Sequence, residues 1–182
     1  MTGSATDVRW AGTAGVVGGI SYVMAGARMW FFGAPQDRVT DALALVWALC
    51  WVVAGLALLK LRVTGRSRAA RAVSMMLIVG FSAAALWGVH RLIDPPGANA
   101  GPLAFAPLIV VLGMIGTGAL SLAAAPWHDW RRALPLSIAV VYVTMIVING
   151  VTSAVTLPYA FTIAGLGYVL LGAAIRSTPA VS

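Results

Sequence analysis

Glutamate is missing from all 182 residues, lysine occurs once, at Lys60, and cysteine once, at Cys50. The whole acidic complement is Asp7, Asp37, Asp41, Asp94 and Asp129. Each shortage excludes a class of chemistry. A single cysteine rules out an intramolecular disulfide and any paired-cysteine redox or zinc motif. Scattered aspartates without glutamate cannot supply the converging carboxylates of a bridged metal centre. A retinal-type pump needs a lysine deep in the membrane, and Lys60 stands at the end of an apolar run. The sequence also lacks HExxH, GxSxG, a phosphate-binding P-loop and the glycine fingerprint of dinucleotide binding. No metal and no cofactor is expected.

Charge itself is scarce. Charged residues make up 9% of the chain, against about 25% in average soluble domains. Hydrophobic residues make up 60%, and the mean hydropathy is +0.93. Such a chain cannot cover a soluble surface with polar groups, so it reads as a multi-pass protein of the cell membrane with the lipid bilayer as its main partner. The formal charge of +7 does not point to nucleic acid. The basic residues sit in short links beside apolar runs, where they set orientation and meet anionic lipids.

Six apolar runs are long enough to span, each near the ~20 residues that cross ~30 Å of hydrocarbon. They cover about 10–32, 42–61, 72–93, 103–125, 134–156 and 159–175. The expected fold is an all-α, six-helix transmembrane bundle forming one domain. The last run is short and follows a tight link at Leu157 and Pro158, which leaves five spans plus a re-entrant segment as the alternative. Arg9 leads into a full-length run, so the first span reads as retained rather than as a cleaved signal. Six spans collect Arg9, Lys60, Arg62, Arg66, Arg68, Arg71, Arg131, Arg132 and Arg176 on one side. The positive-inside rule then places both termini in the cytoplasm. His90 and His128 fall on opposite sides, which prevents them from sharing a haem.

The other side holds the candidate site. Eighteen residues separate Arg9 from Arg28, about 27 Å at helical rise. Arg28 therefore reaches the outer boundary, just before Trp30, Phe31 and Phe32. There it reads as an arginine anchored in an aromatic belt, or as a partner for another group at that face. The third run ends in WGVHRLIDPPG, where Asp94 lies i+4 from His90 and i+3 from Arg91, and Pro95 and Pro96 stop the helix. Asp37 to Asp41 suits the start of the second helix. In the fifth run, Asn149, Thr152, Ser153 and Thr156 share one helical face. Such residues commonly bond across helix interfaces. Here they could also wall an outward polar cavity with Arg28, His90, Arg91, Asp94 and Tyr159. Trp127 and Trp130 flank His128 in a link that reads as an interfacial anchor.

Small residues recur every four positions at Ala11, Gly15 and Gly19, at Ala14 and Gly18, and at Gly113, Thr117 and Ser121. Gly165 and Gly172 stand one heptad apart. Such faces allow close helix approach, either within the chain or in a homo-oligomer. No internal repeat relates the first three spans to the last three. Three functions are compatible with this pattern. The leading expectation is an accessory or structural subunit of a membrane assembly, joined to a partner membrane subunit. The second is a binder or transporter of a small lipophilic or anionic molecule, with Arg28, His90 and Arg91 toward an anion and Asn149 and Thr152 orienting it. The third is a membrane-embedded enzyme for a lipid or isoprenoid, with Asp94 or His90 as acid or base.

Overall fold

A computed structural model describes residues 5–32, 37–94, 101–124, 127, 129–152 and 157–178. These residues are predominantly helical and contain no strand. Six α-helices follow in order: α1 (Ala5–Phe32), α2 (Arg38–Lys60), α3 (Arg68–Ile93), α4 (Ala106–Ala124), α5 (Leu134–Thr152) and α6 (Leu157–Arg176). Short 3-10 turns at Gly101–Phe105 and Asp129–Ala133 lead into α4 and α5. Five of the helices, α2 to α6, are long and apolar enough to cross a membrane. The exception, α1, carries five glycines and the charges of Asp7, Arg9 and Arg28 along its 28 residues, which dilute its hydropathy.

Helix starts follow caps rather than the onset of hydropathy. The Ser67 side chain accepts from the Ala70 backbone N–H at 3.0 Å, so α3 begins at Arg68, a turn before its apolar run. Asp37 does the same for α2, accepting from Thr40 N–H at 2.8 Å. A side-chain acceptor here satisfies one of the N–H groups that a helix start leaves open. The ends expected near residues 125 and 156 lie outside the described residues.

Each helix packs antiparallel on the next, and α1 packs on α6, so the six form a closed ring. The α1–α6 seam is the most extensive of these contacts. It is a backbone-to-backbone contact. A Cβ at Gly172 would stand 2.4 Å from Val16 N, one at Gly19 2.5 Å from Val169 N, and one at Gly12 2.4 Å from Arg176 N. Gly18 serves the other side of α1, where a Cβ would stand 2.8 Å from Cys50 Cβ on α2. On α4, Gly113 lies against Leu77 of α3 and Gly118 against Leu136 of α5. These small-residue faces are therefore used within the chain.

A ring without a central helix leaves space along its axis. Aromatic side chains from α1, α2, α3 and α6 fill the middle of it. Trp51, Phe81 and Tyr168 are fully buried. Tyr22 stacks on Trp47 at 4.3 Å and on Phe161 at 4.4 Å, and Trp51 meets Tyr168 at 4.7 Å. Such pairs contribute about 0.5–1.5 kcal/mol each beyond burial.

One end of the ring gathers the basic links. Arg62 adopts φ 52 after α2. That conformation lets Arg62 N–H reach Leu59 O at 3.2 Å and Val63 N–H reach Leu58 O at 3.3 Å, closing the helix end, while Val63 is fully buried. The Thr64 and Ser74 hydroxyls meet at 3.1 Å. The link is thus pinned from inside and leaves Lys60, Arg62, Arg66, Arg68 and Arg71 exposed. Trp127 is buried and donates its indole N–H to Thr178 at 2.9 Å, tying the α4–α5 link to the end of α6. Trp130 is exposed; His128 lies outside the described residues. Nine basic side chains and only Asp7 and Asp129 occupy this end. Arg28, Arg38 and Arg91 face Asp37, Asp41 and Asp94 at the other. The entire formal charge of +7 thus belongs to one end.

Adding one methyl group to the seam should be costly, and adding more bulk beside it should not. Gly172→Ala should lower stability by about 1–3 kcal/mol, the usual cost of overpacking. Ala173→Leu, on the exposed neighbouring position, should stay within about 0.5 kcal/mol of the parent. Thermal unfolding with light scattering checks both; an unchanged Gly172→Ala melt, or its conversion to another oligomeric state, would contradict the intramolecular seam.

Candidate functional site

Toward the charge-balanced end the axial space is not filled. A cavity of about 320 Å³ lies there, and all six helices line it. It exists because the ring presents small side chains at this level: Ala44 on α2, Ala84 and Gly88 on α3, and Ala160 on α6. The floor is aromatic, formed by Tyr22, Trp47 and Tyr142. Trp87, Val110, Val111, Met145 and Phe161 add apolar walls. Tyr168 stands edge-on to Tyr22 at 6.1 Å. The Tyr142 hydroxyl and the Trp47 indole N–H are buried without a hydrogen-bond partner among the described residues. Such orphaned groups typically cost about 1–3 kcal/mol each.

Two charges line the cavity, Asp41 from the first turn of α2 and Arg91 from the last turn of α3. The Asp41 side chain is only 10% exposed, and Arg91 Nε stands 3.6 Å from its Oδ1. That separation is an ion pair but exceeds hydrogen-bond length. Among the described residues the Asp41 carboxylate accepts no hydrogen bond of ordinary length.

The residues singled out in the sequence are distributed around this feature. Arg91 lines the cavity. Arg28 instead holds Asp37, through Nε at 3.0 Å, and its guanidinium lies 5.1 Å from the centre of the Phe32 ring. It is thus both a partner for an end-face group and an arginine set against an aromatic ring. The Arg28 guanidinium, helped by the Thr40 backbone N–H, holds the Asp37 carboxyl well below the usual carboxylate range. The bond between the end of α1 and the start of α2 is therefore complete at neutral pH and above. It is lost only as pH falls through that depressed range. His90 Nδ1 pairs with Asp94 one turn on, at the end of α3, and Asp94 N–H caps the helix by donating to His90 O at 2.9 Å. Tyr159 stacks edge-on against Trp30 at 4.5 Å. Asn149 and Thr152 fall in the last turn of α5; their side chains, like Ser153 and Thr156, lie outside the described residues.

Sequence reasoning left out most of the cavity. Asp41 reads as one of two helix-start aspartates, and only the fold shows that Asp37 caps while Asp41 turns inward. Tyr22, Trp47, Trp87, Tyr142 and Phe161 sit in helices that are apolar all round, where no periodic stripe marks an inner face. The three bases that could meet an anion, Arg28, His90 and Arg91, each stand beside their own carboxylate. No protein-family model, curated protein or solved structure matches this chain.

Proposed function

We propose that this chain is a six-span protein of the cell membrane with both termini cytoplasmic, and that its axial cavity binds a small lipophilic molecule. The orientation is supported by the gathering of all net positive charge at one end, which the positive-inside rule assigns to the cytoplasm, where anionic lipids would meet it. A reporter fused after Ser182 should then read as cytoplasmic, and an external signal would reject it. In this orientation the cavity lies in the outer half of the membrane.

The binding reading is carried by one observation: an apolar space of about 320 Å³ lined by every helix of the ring. Its size falls at the lower end of small-molecule sites, about 300–1,000 Å³. A lipophilic ligand fits better than an anion, because the nearby bases are already paired. Native mass spectrometry after gentle extraction from the membrane should show the chain retaining a defined small molecule. Ala84→Phe on α3, or Ala44→Phe on α2, should reduce that occupancy at least tenfold while the helical signal is unchanged. An empty wild-type chain, or full occupancy in both filled variants, would overturn the reading.

The accessory-subunit reading stands second. It is favoured by α5, which packs least on its neighbours and exposes Val140, Val143, Ile146 and Val147 in a row. A stoichiometric second polypeptide in the same spectrum would promote it.

A further inference from the structure

Among the residues that line the cavity, only Pro107 on α4 and Ile146 on α5 are exposed. At the charged end Asp41 is buried and Arg91 half-buried; on α6 Ala160 is buried and Phe161 half-buried. The packing of α5 accounts for this. Its inner half is held on both sides at glycines. A Cβ at Gly118 of α4 would stand 2.6 Å from Leu136 N, and one at Gly167 of α6 would stand 2.7 Å from Ile138 Cγ1. There Leu134, Ile138 and Ala139 are buried. Farther out Val143, Thr144, Ile146 and Val147 are exposed, and Met145 between them is half-buried. Counting outward along the antiparallel pair from Gly118 and Leu136 sets Pro107 opposite Val147, next to Ile146. The cavity therefore has a mouth on its side, between α4 and α5.

The depth of this mouth follows from the helix register. Ile146 lies six residues, about 9 Å, in from the end of α5 at Thr152. A Cβ at Gly80 of α3 would stand 2.9 Å from Val110 N, which sets Pro107 level with Ala83. That is ten residues, about 15 Å, in from the end of α3 at Ile93.

We infer that the cavity is filled sideways from the bilayer, by a hydrocarbon chain that passes between α4 and α5 at Pro107 and Ile146. This rests on the binding reading above and adds the route and the kind of ligand. At its depth the mouth faces hydrocarbon rather than water. Neither rim residue has a polar side chain, and Pro107 lacks the backbone N–H that another residue in a first helical turn would present. A chain entering from lipid gives up no hydrogen bond and exchanges one apolar setting for another, against Val110, Val111 and Met145. A polar solute would have to cross lipid to reach the same mouth, at the cost of its hydration.

The test is photolabelling of the full chain in phosphatidylcholine nanodiscs, with adducts mapped by peptide mass spectrometry. One probe is phosphatidylcholine with a diazirine at the end of an acyl chain; the other is dodecane with the same group. The carbene inserts into C–H bonds, so Val110 and Val111, which line the cavity and are 2% and 4% exposed, report on its interior. Adducts on the exposed Val143 report delivery to the outer surface. Interior adducts should form in the wild type. Ile146→Trp, at the rim, should reduce them at least tenfold, as should Ala84→Phe inside. Val140→Trp, equally exposed on α5 but away from the mouth, should leave them within twofold, and Val143 should be labelled throughout. Interior labelling by the phosphatidylcholine probe would identify the chain of a tethered lipid, and labelling by dodecane alone a free bilayer-dissolved molecule; either supports the route. Undiminished interior labelling in Ile146→Trp, or an equal loss in Val140→Trp, would overturn the route and leave the binding reading standing. So would a wild type without interior adducts that still retains a small molecule in native mass spectrometry. A wild type empty in both experiments would remove the binding reading as well.

Discussion

The close approach of α1 and α6 governs the rest of the architecture. Short links bring sequential helices side by side as antiparallel neighbours. Among the described residues the extensive contact between distant parts of the chain is α1–α6, beside a slight α2–α6 contact, and it decides whether six helices make an open row or a ring. Between apolar helices in lipid, hydrophobicity gives no reason to associate, so the seam depends on van der Waals contact at short range. Glycines supply it. With Gly12, Gly19 and Gly172 lacking a Cβ, backbone atoms of the two helices come within reach of one another along the whole seam. The same glycines lower the hydropathy of α1, so the helix that closes the ring carries the weakest membrane signal in the chain.

Closure creates the axis, and side-chain volume decides what occupies it. Where α1, α2, α3 and α6 present Tyr22, Trp47, Trp51, Phe81 and Tyr168, the axis is solid. Where they and their neighbours present alanine and glycine, it is open. The two ends differ as sharply in charge. At the basic end, nine cationic side chains meet two aspartates and stand exposed on short, internally pinned links. At the other end, three aspartates match three arginines, and the Arg28–Asp37 and Arg91–Asp41 pairs tie helix ends together. The cavity thus adjoins a region of little net charge, which under the proposed function suits a lipophilic guest better than an ionic one.

Much of this was legible in the sequence, and the remainder was not for identifiable reasons. Long apolar runs separated by short basic links locate the helices to within about a turn, because burial in lipid demands continuous hydrophobicity. The four-residue spacing of Ala11, Gly15 and Gly19 marks a close seam. Its partner, Gly165 and Gly172, is equally visible, but pairing the two requires knowing which helices are adjacent. Arg91 is recognisable as a charge at a helix end. Asp41 is not distinguishable from Asp37, since the two are one helical turn apart and both suit a helix start. The aromatic floor leaves no trace at all, for a tryptophan in a uniformly apolar helix faces lipid or core without altering the pattern.

A direct measurement of ring closure is the distance between nitroxides placed on the outward positions Val17 and Leu170, which are 48% and 47% exposed and stand at the same level of α1 and α6. Pulsed electron paramagnetic resonance in nanodiscs should give a short, narrow distribution that survives dilution with unlabelled protein. A long or broad distribution, or a short distance that vanishes on dilution, would contradict a ring closed within one chain.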